Sequence, residues 1–376
     1  MKEKLYFLNS LKFIAALCVI LLHYNDHLLV YLGLNNPYSE SSLIGSLTRN
    51  SYVFVEFFFI VSGLLFAVSS LDKIMNGEKF NHFFLKKLIR LFPVLIISTI
   101  IMYILTFIYY NMSHSYWRVG TLNLILLAQE LTVGQIEFNN ADVINGPAWY
   151  LFSLMFTYVV IYFTSLLYKK TKTRLCYLIP LFMGLGMWYS KQNYVFSGEG
   201  LARGLVSFTI GIYLGFLLKP YDVYLNKNKY KNRIIIKSII LVELVVAITL
   251  LCTKQKDIFI DNLKPYFLIY IFPSVILLLY DFKYINKFNE FKIVQFITNS
   301  SYLIYLFDFP ILLLTHIIFY QNNPKIVLKW YSLLIIIIIH IIIGMISYIL
   351  IEDKLGYILY NKFENYYHNK ITNKIE

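Results

Sequence analysis

Apolar runs long enough to cross a bilayer recur along almost the whole chain, and this recurrence restricts the fold more than any other feature. They fall at roughly 8–31, 52–71, 91–110, 147–168, 175–190, 201–218, 234–252, 265–280, 299–320 and 330–351. A hydrocarbon core about 30 Å thick takes about 20 residues of helix to span. Inside it an unpaired backbone group costs several kcal/mol, so spanning segments are helices or closed barrels, and runs of this length read as helices. The pattern predicts an all-α polytopic membrane protein with about ten transmembrane helices, forming a single domain over 1–376. Its 58% hydrophobic residues, 15% charged residues and mean hydropathy of +0.61 exclude an ordinary soluble domain. The first run is too long for the core of a signal peptide and no small-residue cleavage site follows it, so it is expected to stay as a permanent span. A shorter run, TLNLILLAQELTV at 121–133, cannot span and fits an interfacial or a re-entrant segment. No period of 20 to 50 residues repeats. Cys18, Cys176 and Cys252 fall in or at the ends of spans, without disulfide or zinc spacing, and no metal site is read.

Lysine and arginine set the orientation, because they collect on the cytoplasmic side. With the N-terminus inside, the inner segments are Lys2 and Lys4, the loop carrying Lys73 to Arg90, KKTKTR, KPYDVYLNKNKYKNR, the 281–292 loop and the C-terminal tail. They hold 23 of the 34 basic residues, against 8 in the outer loops. N-in and C-in is the prediction. The formal charge of +13 is then mostly membrane anchoring and calls for no nucleic-acid partner.

Ionisable residues inside spans are costly and mark function by default. The first span, LKFIAALCVILLHYNDHLL, carries both Lys12 and His23. Eleven helical residues advance about 16 Å and return to within roughly 20° of the starting direction, so the two share one stripe, one near each leaflet. His23 lies about 22 Å from the inner start of its span, and Glu56 lies about one turn below the outer surface on the second, so the two are expected to meet. Asp26 and His27 share the face of His23. Asp308 falls about 14 Å into its span, near the midplane. Lys86, Lys87 and Arg90 stand at the inner mouth of the third span, where composition alone reads them as a snorkelling, positive-inside cluster. His316 and His340, lone histidines in spans, read as interhelical hydrogen-bonding residues. Ser62, Gly63 and Ala67, with Gly211 and Gly215, have the small-residue spacing of close helix packing, and Ser62 is not read as a nucleophile.

Six segments together resemble the type-3 membrane acyltransferases. LKFIAALCVILLH is similar to their opening signature, an arginine followed eleven residues later by a histidine. VFVEFFFIVSGLLFA resembles the second-span signature of an acid before two phenylalanines and a serine-glycine. FFLKKLIRLFP resembles the basic cluster that ends in arginine, two residues and proline. GPAWYLFSLMFTY, with Trp149, resembles the tryptophan-bearing fourth span, SSYLIYLFDFPIL, with Tyr302 and Asp308, the late serine-tyrosine signature, and SYILIEDKLG the terminal glutamate element. They run in order from Leu11 to Gly356.

The resemblance implies transfer of an acyl group, usually acetyl, from a cytoplasmic coenzyme A thioester to a hydroxyl of a polysaccharide or lipid-linked glycan outside the bacterial cytoplasmic membrane. His23 is then the expected general base and Glu56 the carboxylate that orients it. Lys12, Lys86, Lys87 and Arg90 are the expected acyl-CoA ligands, Arg by its bidentate fork and Lys as a point charge. Asp26, Trp149, Tyr302 and Asp308 are expected to contact the acceptor or support the site. Acetyl-CoA enters as a donor substrate, with no permanently bound cofactor. Lys12 and Lys87 stand where the family usually has arginine, and Asp308 where it more often has histidine. Two other classes share this hydrophobicity. A transporter or glycan flippase should show paired repeats or broken helices in matching halves. An envelope glycan polymerase usually has a large external loop with arginines, whereas the longest outer stretch here, 111–146, has only Arg118.

Overall fold

The computed structural model describes residues 5–39, 42–117, 120–132, 143–171, 184, 199–227, 231–251, 264–280, 283–320 and 323–372. Every regular element among them is helical. In chain order they are α1 (Phe7–His23), which runs on through a π-helical turn (Tyr24–Leu29), α2 (Leu43–Asn50), α3 (Phe54–Ser69), α4 (Leu71–Met75), α5 (Phe80–Ser113) and α6 (Leu124–Leu131). Then come α7 (Ala148–Thr171), α8 (Glu199–Lys227), α9 (Lys231–Leu251), α10 (Lys264–Tyr280, with a π-helical turn at Phe267–Ile271), α11 (Lys283–Phe288), α12 (Lys292–Asn299) and α13 (Ser301–Tyr320). The chain ends in α14 (Trp330–Ser347), a third π-helical turn (Tyr348–Gly356) and α15 (Tyr357–Thr372).

Among the described residues seven helices are long and apolar enough to cross a membrane: Phe7–Leu29, Leu43–Ser69, Phe80–Ser113, Ala148–Lys169, Gly200–Leu218, Ser301–Phe319 and Trp330–Tyr367. The expected span at 265–280 forms the shorter apolar helix Lys264–Tyr280, and that at 234–252 forms a helix as far as Leu251. The expected span at 175–190 lies outside the described residues apart from Gly184.

Local chemistry sets the ends of the helices that carry the site. The segment from Phe7 stops where Gly33 adopts a φ of 67°, the left-handed conformation in which a side chain is strained. There the Leu34 N–H donates back to the Leu29 carbonyl at 2.9 Å, closing the end. The Ser42 hydroxyl accepts from the Gly45 N–H at 3.0 Å and caps α2. At 34 residues, α5 is about 50 Å long, well beyond the hydrocarbon thickness, so its basic first turns project from the span.

Small residues bring α3 and α8 into backbone contact. A methyl added at Gly63 would run into the Phe208 carbonyl, one at Gly211 into the Ile60 carbonyl, and one at Gly215 would stand 2.6 Å from the Ala67 Cβ. This is the close packing expected of their spacing. The 121–133 run forms α6, a short helix capped by Asn123 and packed on α5. Its Leu124 and Ile125 are exposed while Glu130 is buried, and Glu130 accepts the backbone N–H groups of Ile144 and Asn145, both at 2.8 Å. A buried carboxylate held in this way ties α6 to the start of α7.

Two hydrophobic clusters fill the bundle, and α13 contributes to both. Phe307 belongs to the larger, with Phe58, Leu64 and Leu154; Phe309 belongs to the smaller, with Tyr24, Trp117 and Leu312. Asp308 lies between Phe307 and Phe309 in sequence, 1% exposed.

Candidate functional site

A carboxylate in an apolar core needs partners on both oxygens, and Asp308 takes two histidines. Its Oδ2 contacts Nδ1 of His23, at the end of α1. Its Oδ1 is 2.9 Å from Nε2 of His340, at the middle of α14. Around His23 the rings close in: His27 has its centroid 5.2 Å away, and Phe309 lies 5.0 Å from His23 and 4.9 Å from His27. Immediately after His23 the helix widens into its π-helical turn, a feature that recurs at functional sites.

Glu56 does not join this cluster. Its Oε1 accepts from Arg203 Nε at 2.6 Å and pairs with Lys264 Nζ at 2.9 Å. The expected His23–Glu56 pair is therefore corrected to His23–Asp308. Matching depths along two spans constrains height but not the direction in which a side chain faces. A buried carboxylate goes to the cations within reach, and α8 and α10 supply two. Trp149 belongs to this second cluster as well, with the Arg203 guanidinium 4.6 Å from its ring centroid. Asp26 accepts from the Asn25 amide at 2.8 Å, and Tyr302 donates to the Leu91 carbonyl at 3.0 Å.

The basic residues line two adjoining cavities. The inner one, about 290 Å³, runs from Lys12, Lys87, Arg90 and Glu352 to Tyr150 and Tyr305. Tyr305 of this lining is one helical turn before Asp308 on α13, while His23 and Asp308 themselves are not in the lining. The second, about 510 Å³, shares Ser69, Lys87, Arg90 and Glu352 with the first and opens past Lys73, Lys86 and Tyr360. The four basic side chains differ in their surroundings. Arg90 is 67% exposed and donates to Glu352 at 3.3 Å. Lys87 lies 4.9 Å from the Tyr158 ring centroid. Lys86 pairs with Glu364 of α15 at 2.8 Å and sits 3.9 Å from Glu78. Lys12 lines the inner cavity.

The sequence model of the acyltransferase domain matches residues 5–351. The chain belongs to the type-3 acyltransferase family. No curated protein and no solved structure matches it. In this acyltransferase the match takes in α1 to α14 and stops one residue before Glu352. Beyond it, α15 still reaches the second cavity through Tyr357 and Tyr360, and its Glu364 meets Lys86 and His82. Two residues escaped the sequence reading of the site. His340 makes the interhelical hydrogen bond that its place in a span leads one to expect, but its partner is the central carboxylate. Glu352 belongs to the terminal glutamate element, and its ion pair with Arg90 joins positions 262 apart, which no local spacing reveals.

Proposed function

We propose that this acyltransferase moves an acetyl group from cytoplasmic acetyl-CoA to a hydroxyl of a cell-surface or exported glycan, working in the bacterial cytoplasmic membrane. In this reading ten spans leave both termini inside. The observation that carries it is the His23–Asp308 contact close to a cavity whose far end is basic. An imidazole with one nitrogen against a carboxylate is held in a fixed tautomer, with its other nitrogen able to take a proton.

Each group then has a step. Arg90, Lys87 and Lys12 hold the phosphates of the donor at the inner end, and the inner cavity takes the pantetheine arm. Nε2 of His23 accepts the hydroxyl proton as the glycan oxygen bonds to the acyl carbon. The thioester C–S bond breaks, and the same proton passes to the departing coenzyme A sulfur. Asp308 holds the imidazole and balances its charge while it carries that proton. Glu56, with Arg203 and Lys264, acts as a structural ion cluster toward the outer side. The family favours this reading over a flippase or a polymerase. Comparing O-acetyl content of surface glycans from cells with and without the gene, by NMR or mass spectrometry, tests it. Loss of O-acetyl groups on deletion and their return with the wild-type gene are expected, and unchanged content overturns it.

A further inference from the structure

Two acceptor atoms cannot face each other in a dry core without a proton between them, and His340 meets that condition. It has no exposed surface. Its Nδ1 is 2.7 Å from the carbonyl oxygen of Ile336. A carbonyl only accepts, so Nδ1 carries a hydrogen. A neutral imidazole then has a bare lone pair on Nε2, and Nε2 is 2.9 Å from Oδ1 of Asp308. With His340 at 0% and Asp308 at 1% exposure, no bulk water relieves a lone pair set against a carboxylate oxygen. One further proton lies on the line between Nε2 and Oδ1, bonded to one of the two.

That proton fixes the other side of the carboxylate. With Oδ1 committed to His340, Oδ2 faces Nδ1 of His23 and accepts its hydrogen. His23 is left neutral, with its lone pair on Nε2.

We propose that His340 is a positioning residue of the acyltransferase: it shares one proton with Asp308, balancing the buried carboxylate before the reaction, so that His23 rests as a free base. The proposal rests on His23 being the general base. The shared proton is not consumed. During transfer the hydroxyl proton goes to Nε2 of His23 and from there to the coenzyme A sulfur, while the His340–Asp308 proton stays between its two holders.

The elements packed around His23, Asp308 and His340 carry other titratable groups. His27 comes from the π-helical turn after α1. Tyr305 comes from α13, within electrostatic reach of Asp308, Arg203 and Glu56. From α5, Tyr109 packs instead on His316, just over two turns further along α13. None of these takes the place of His340 on Oδ1.

The test is the pH profile of kcat/KM for purified protein with acetyl-CoA and envelope glycan from the source cells, in wild type, His340→Gln, Asp308→Asn, Asp308→Ala and His23→Ala. His340→Gln keeps a donor toward Asp308 but supplies no shared proton. The carboxylate is then left unbalanced beside the base. The acidic limb of the profile should move up by about one pH unit or more while the acetyl-CoA KM is unchanged, since the lost charge acts on the base alone. Asp308→Asn needs no extra proton: its amide nitrogen donates to Nε2 of His340 and its oxygen accepts from His23, preserving the tautomer. It should therefore transfer at least about tenfold faster than Asp308→Ala. A folded His340→Gln with the wild-type limb overturns the proposal, as does Asp308→Asn no faster than Asp308→Ala. Both results leave the functional reading standing, provided His23→Ala is inactive. An active His23→Ala overturns that reading and this proposal with it.

Discussion

Asn145 donates its side-chain amide to the carbonyl oxygen of Leu306 at 3.2 Å, and this is the carbonyl that Pro310 leaves without its helical partner. Proline has no N–H to close the turn, so α13 carries an open acceptor two residues before Asp308. The same amide nitrogen reaches the Ser98 hydroxyl at 3.1 Å, and the Asn145 backbone N–H is held by Glu130. Asn145, just before α7, thus joins α5 and α13 through its side chain and α6 through its backbone.

Asn145→Ala leaves the Leu306 carbonyl buried and unpaired, which costs about 1–3 kcal/mol. A lower midpoint of thermal unfolding in detergent is expected, with the acetyl-CoA KM close to wild type. A variant as stable as wild type would show that water or a neighbour replaces the amide.

Glu56 makes a second prediction, because its carboxylate is 1% exposed and holds two cations. Removing one partner of a buried ion cluster costs about 3–5 kcal/mol, since the remaining charges are stranded. Glu56→Gln should express poorly or unfold early, and Glu56→Gln with Arg203→Gln should recover part of the loss. A stable, donor-binding but inactive Glu56→Gln would instead return Glu56 to the chemistry.

The sequence carried the architecture further than the site. Apolar run length located the helices from Phe7–Leu29 to Trp330–Tyr367 because hydrocarbon enforces helix length and backbone pairing. Gly63, Gly211 and Gly215 were legible as contacts because only small residues allow backbones so close. His23 and Lys12 stand out in the sequence because a charge on a span is an anomaly that local spacing exposes. What spacing could not give was azimuth. Which face of α3 turns toward α8 decides that Glu56 meets Arg203, and which face of α14 turns toward α13 decides that His340 meets Asp308. Both are set by packing among helices distant in sequence.

The basic cluster gives a prediction that separates neighbours on one helix. Lys86 is committed to Glu364 and Glu78, whereas Arg90 and Lys87 line both cavities together with Glu352. Arg90→Ala and Lys87→Ala should each raise the acetyl-CoA KM with little change in kcat, the mark of lost uniform binding. Lys86→Ala should raise it less. Equal effects from all three would mean that the cluster acts only as a diffuse positive field.

Orientation is checked with single cysteines in a background freed of native ones. Asn35 and Asn76 are both exposed and lie in loops at opposite ends of α2 to α4. In sealed cells an impermeant thiol reagent should label Asn35→Cys and spare Asn76→Cys. The reverse pattern would invert the proposed topology.

The most direct test of the central claim is acyl transfer by His23→Ala, measured with radiolabelled acetyl-CoA and envelope glycan of the source cells on protein shown to be folded and to bind donor. Loss of a general base typically costs 10²- to 10⁴-fold in rate, and a fall of about that size with donor binding intact is predicted. Transfer near the wild-type rate would contradict the account and move the chemistry away from the His23–Asp308 pair.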